Sequence, residues 1–152
     1  MRRAAAAGLA LMLACGLPLA EPTEEEDEGR RLDPEFVAGR KAIEARDWAG
    51  AIRFFSSAAL RDTRNSDIQN YLGFAYRNTG ELSHAFNHYN RALHLNPRHR
   101  GAHEYLGEAY LMAGNVAKAE EHLAALARIC LIPCEERAQL ERKLAEYRQR
   151  RP

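Results

Sequence analysis

Three glycines, Gly39, Gly73 and Gly107, stand at a constant step of 34 residues, and the small and apolar residues around them keep the same register. Leu72, Tyr76, Gly80, Ala85, Tyr89, Ala92 and Pro97 accompany the middle glycine. Leu106, Tyr110, Gly114, Ala119 and Leu123 accompany the last, and Ala51, Phe55 and Ala58 the first. A unit of that length cannot bury its apolar face alone, so successive units must stack and share a core between neighbours. The chain of 152 residues is therefore read as a short array and not as one centre wrapped by its elements.

Each unit reads as two helices. Asp33 before Pro34 is an N-cap ahead of a proline at the first helical position, where the missing N–H costs nothing. A first helix is predicted from Pro34 to about Ala45. Asp47 then caps a second, with Trp48, Ala51, Ile52, Phe55, Ala58 and Ala59 on its inner side, up to about Leu60. In the middle unit Ser66 or Asp67 is the expected cap of a helix to about Asn78. Gly80 supplies the turn, and a helix from about Leu82 to Leu95 stops before Pro97. The third unit runs from about Arg98 to Met112, turns at Gly114-Asn115 and ends near Cys130. A glycine inside a helix costs about 1 kcal/mol relative to alanine, so Gly73 implies close approach of the paired helix through Ala85 and Ala92, and Gly107 through Ala119. Beyond Pro133, Leu140, Leu144 and Tyr147 at i, i+4 and i+7 mark a last helix, charged elsewhere, to about Arg150.

These residues resemble the tetratricopeptide repeat, with consensus W-x2-L-G-x2-Y, A-x3-F and P; the middle unit departs only at the tryptophan, where Gln69 stands. The first unit is the most divergent, with Ala38 and Ala42 in place of leucine and tyrosine. The resemblance implies an all-α fold, an α-solenoid of three helix-turn-helix repeats (32–65, 66–99 and 100–133) and a C-terminal capping helix over 134–150. It further implies a right-handed superhelix whose concave wall is made by the first helix of each repeat, and a role in protein-protein interaction. The family's inward positions fall on Phe36, Arg40 and Ile43, on Asn70, Phe74 and Arg77, and on Glu104, Glu108 and Leu111. Arg40 and Arg77 offer paired N–H donors to a carboxylate, while Phe36, Phe74 and Leu111 offer apolar anchors to an extended peptide or helix. The competing assignment packs those apolar residues against neighbouring helices and leaves the arginines solvated. Chaperone-associated members of the family grip a C-terminal carboxylate with Lys, Asn, Asn, Lys and Arg. The matching positions here hold Phe36, Arg40, Tyr71, Gly101 and Tyr105, and only Arg40 substitutes in kind, so that clamp is not expected.

Ahead of the array, Arg2 and Arg3 precede an apolar run from Ala4 to Leu13, the pattern of a secretory signal over 1–20 with cleavage after Ala20. Cys15 as a lipoprotein acceptor is the alternative, and the case in which a membrane enters. The following segment, 21–31, carries Glu21, Glu24, Glu25, Glu26, Asp27 and Glu28 and reads as a disordered acidic leader. Without Arg2 and Arg3 the chain keeps 20 basic against 21 acidic residues, a balance that gives no sign of nucleic-acid binding. The expected location is the periplasm.

Cys130 and Cys134 are the two cysteines left once Cys15 is removed, and in an oxidising compartment they are expected to pair across the turn at Pro133. A redox or copper-handling accessory working through this pair is a second functional reading, and no third ligand is evident beside it. Self-association through the ends of the stack is a third. His84 and His88, and likewise His99 and His103, are spaced i, i+4, but each pair makes only half a tetrahedral site, so all are assigned to the surface. No Ser, His and Asp arrangement, phosphate-cradling glycine loop or haem-attachment motif appears. Neither catalysis nor a cofactor or metal is expected. The leading expectation is an adaptor that binds a peptide or helix of an envelope protein.

Overall fold

The computed structural model describes residues 33–150. The expected export signal, Cys15 and the acidic leader lie outside them. Among the described residues there are helices and no strands: α1 (Pro34–Glu44), α2 (Trp48–Arg61), α3 (Ser66–Asn78), α4 (Leu82–Leu95), α5 (Arg100–Met112), α6 (Val116–Ile129) and α7 (Glu135–Arg150).

Side-chain caps set most of these boundaries. Asp33 accepts from the Glu35 N–H at 2.8 Å, and its two oxygens also take Arg61 of α2 at 2.5 and 2.6 Å. That hydrogen-bonded guanidinium holds the Asp33 carboxyl down at about 2. The cap of α3 is Asn65 and not Ser66 or Asp67, because its Oδ1 takes both the Asp67 and Ile68 amides, at 3.0 and 3.2 Å. The third unit, by contrast, begins later than expected. His99 is the cap, with Nδ1 accepting from the Ala102 N–H at 3.1 Å, and the helix starts at Arg100. The turns inside the three pairs share one conformation: Gly80 and Gly114 have φ of +86° and +77°, and Arg46, one period earlier, takes +58°.

The core is distributed as stacked layers. Ala51, Phe55 and Ala58 of α2 meet Ile68, Leu72 and Ala75 of α3 in one cluster; Ala85 and Tyr89 of α4 meet Leu106 and Ala109 of α5 in the next. Gly39 and Gly73 have a packing reason: a Cβ on either would lie within 2.9 Å of the Phe55 or Tyr89 ring respectively. Gly107 differs from expectation. Its neighbour is Leu140 of α7, 2.6 Å from where a Cβ would stand, and not Ala119. A leucine at 123 replaces the rings of the earlier repeats, and Leu140 takes the seat.

Leu140 and Leu144 follow Leu106 and Tyr110 at the same 34-residue step, so α7 is the first helix of a further half repeat. It closes the last core layer with Leu111, Ala119 and Leu126. The first helices of the units touch in succession, α3 to α5 and α5 to α7, while Phe36 of α1 meets Tyr71 of α3 edge-on at 5.7 Å. The result is an all-α solenoid of three helix pairs and a closing helix, with α1, α3, α5 and α7 forming one wall.

Candidate binding wall

The nine residues expected on this wall separate into three groups. Phe36 and Ile43 pack onto the first core layer, Phe36 lying edge-on to Phe55 and Tyr71 at 5.7 Å each; Arg40 is exposed beside them. Phe74 and Arg77 belong to a locked cluster. Phe74 meets Trp48 at 5.9 Å and Tyr105 at 4.9 Å. The Arg77 guanidinium lies 5.3 Å from the Phe74 ring and 5.2 Å from Tyr105, and forms an ion pair with Glu108. Arg77 and Glu108 side chains are only 10% and 17% exposed, so the fork that the sequence offered to a carboxylate already holds one of the chain's own. Asn70, Glu104 and Leu111 are buried, and they line two recesses that both cross α3, α5 and α7.

One recess, of about 490 Å³, runs along the C-terminal ends of these helices, between Arg77, Glu108, Leu111 and Met112 on one side and Lys143, Tyr147 and Arg150 on the other. The other, of about 420 Å³, lies at their N-terminal ends and is acidic, with Asp67, Glu104, Glu135 and Glu136. Burial, with the charges of Glu108 and Glu136, pushes Glu104 up to about 7. Burial and Glu104 push Tyr105 up to about 12. Three positions of the family's carboxylate clamp, Tyr71, Gly101 and Tyr105, line this acidic notch. The contribution of α7 to both recesses was missed from sequence, although the step from Leu106 to Leu140 carried the signal.

The histidines are not all on the surface as expected. His103 is buried, its Nε2 3.1 Å from the Pro97 carbonyl and its Nδ1 3.0 Å from Nδ1 of His122, which stacks on Tyr110. One repeat earlier His88 meets Gln69 at 2.9 Å and stacks on Tyr76. These pairs occupy the place of the consensus tryptophan, where Gln69 and His103 stand, so the outer helix must supply a partner for each polar group. His84 remains half exposed. Cys130 and Cys134 are joined by a disulfide with Cα atoms 5.9 Å apart, across an exposed turn tipped by Leu131 and Ile132.

Residues 80–129 match the family model for the tetratricopeptide repeat. Over those residues the chain carries the tetratricopeptide repeat pattern. Solved structures extend the likeness across the array. The Yersinia enterocolitica type III secretion chaperone SycD, in complex with a peptide of the translocator YopD, is similar with a TM-score of 0.68 and 15% identity, over 78% of this chain and 92% of that one. The TPR2B domain of yeast Sti1, in its pHsp70 complex, has 0.67 and 15% over 77% and 95%. The Sgt2 tetratricopeptide domain of Aspergillus fumigatus has 0.67 and 18% over 89% and 84%. No curated protein matches the sequence. At these identities the likeness is one of fold.

Proposed function

We propose that this tetratricopeptide protein is an adaptor that takes an extended segment or helix of a partner protein along the wall of α1, α3, α5 and α7. The observation that carries the reading is the pair of recesses flanking the Phe74, Arg77 and Tyr105 cluster: a rigid aromatic centre between two hollows of different charge suits a chain laid across the helices. Similar folds bound to peptides, SycD with its YopD peptide among them, support it. The partner belongs to the cell envelope, since the N-terminal segment has the pattern of an export signal and a bonded Cys130 and Cys134 suits an oxidising compartment. The disulfide serves as a staple between the last repeat and α7. Against a copper-handling role stands that, among the described residues, no group of three or more His, Cys, Asp or Glu that could hold a metal includes this pair.

Capture from an envelope extract tests this with the full chain beside a double variant, Met112→Glu with Lys143→Glu. Both residues are exposed at the rim of the larger recess, so the helices survive the change. A protein retained by the native chain and lost by the variant is the expected result. Equal retention by both would overturn the assignment.

A further inference from the structure

The smaller recess holds acceptors that no described residue satisfies. Asn70 is only 5% exposed and its Oδ1 has no hydrogen-bond partner among the described residues. Glu104 is 9% exposed, and no hydrogen bond or ion pair reaches its carboxyl among the described residues. A polar acceptor withdrawn from water without a donor is costly, on the order of 1–3 kcal/mol, and natural folds keep few of them.

The neighbouring acids are differently placed. Asp67 takes the Nε2–H of His99 at 2.9 Å, the tautomer being fixed because Nδ1 is occupied by the Ala102 amide. Glu135 accepts from Gln139 at 3.1 Å, and Glu136 lies 3.4 Å from the half-exposed Arg100. Glu104 alone among the four is both buried and without an ion-pair or hydrogen-bond partner among the described residues, in a notch that carries four carboxylates and no lysine or arginine. A ligand suited to it brings N–H donors and positive charge.

We propose that this notch seats a basic side chain, lysine or arginine, of the partner segment, with Glu104 as its counter-ion. The inference rests on the proposed binding wall and gives it polarity: where relatives with a carboxylate clamp receive an acid, this chain receives a base. The burial of Glu104 agrees with it. Its carboxyl, raised by burial and by Glu108, Glu136 and Glu135 against the pull of Arg77, gives up its proton when a cation arrives. Binding therefore strengthens as the pH rises from 6 to 8 and Glu104 ionises.

The test is an NMR titration of the full chain with two blocked pentapeptides, Gly-Leu-Lys-Leu-Gly and Gly-Leu-Glu-Leu-Gly. The lysine peptide is expected to move the amide signals of Gly101 and Gln139, at an affinity about tenfold above that of the glutamate peptide. Glu104→Gln should remove most of that difference while keeping the helical circular dichroism of the native chain. Glu136→Gln, at a more exposed position, provides a second variant in which binding falls and folding is not at stake. The proposal is overturned if the lysine peptide leaves Gly101 and Gln139 unmoved, or if Glu104→Gln and Glu136→Gln both bind it as the native chain does. Should either peptide then shift Met112 and Lys143 instead, the wall remains a binding surface and only the basic notch is lost. If no signal on α3, α5 or α7 moves with either peptide, the binding wall falls as well.

Discussion

Replacing His122 by phenylalanine is expected to tilt the pH profile of stability away from that of the native chain. Burial, with His103 beside it, holds His122 down at about 4 from an ordinary 6.5. The unfolded chain takes up a proton that the folded ring refuses, so the stability contributed by neutral His122 is complete above pH 6.5 and lost as the pH falls toward 4. Glu104 acts in the opposite sense. Raised from 4.5 to about 7, it contributes fully below pH 4.5, and that contribution is lost as the pH rises through 7. Between those limits each group imposes a slope of at most about 1.4 kcal/mol per pH unit, and the two slopes have opposite signs. Both groups keep some contact with solvent, and screening trims the swing of each across pH 4.5 to 6.5 to about 2 kcal/mol. Urea unfolding followed by circular dichroism reads the effect. Across pH 4.5 to 6.5, the change in stability with rising pH should be about 2 kcal/mol less favourable in His122→Phe than in the native chain. In Glu104→Gln the same comparison should go the other way by about 2 kcal/mol, leaving the lowered His88, His103 and His122 unopposed. Parallel profiles for the native chain and both variants would refute the reasoning.

Four further outcomes follow from the packing. Gly73→Ala places a methyl 2.6 Å from the Tyr89 ring and should cost about 2–3 kcal/mol by chemical denaturation, since a rigid ring inside a stack cannot withdraw. Leu140→Ala empties the seat over Gly107 and should cost about 3 kcal/mol, loosening α7 first, as backbone hydrogen exchange would register. Tyr89→Phe should be neutral or stabilising by up to about 1 kcal/mol in the same denaturation assay, because the buried hydroxyl has no hydrogen-bond partner among the described residues. Reduction of the Cys130 and Cys134 disulfide, which closes a very short loop, should lower stability by about 1–2 kcal/mol, and a Cys130→Ser, Cys134→Ser chain should show no further change with reductant.

The helix pairs were legible because the step from Gly39 to Gly73 to Gly107 and the prolines and turn glycines all point to one period. The seats of Phe55 and Tyr89 over two of those glycines follow from the same register. Less legible was where the array stops. Leu140 and Leu144 continue the step, but the charged residues between them read as a solvating helix, and only packing shows α7 contributing to both recesses. The histidines were misread for a related reason. A single i, i+4 pair carries no sign of burial, whereas Gln69 with His103 and His88 with His122 repeat at the array's own period, and a repeated polar position beside a repeated tyrosine is a buried pair. Arg77 could not be read as occupied at all, because its carboxylate lies one repeat away and the sequence does not disclose which side chains meet across helices.

The wall as a binding surface is most directly tested by site-specific photo-crosslinking of the full chain in its native cells, with the reactive residue in place of Met112, at the rim of the larger recess, or of Asn90, on the exposed side of α4. Adducts to one protein from position 112 and none from position 90 are the predicted result. Adducts from position 90 alone, or the same adducts from both, would contradict it.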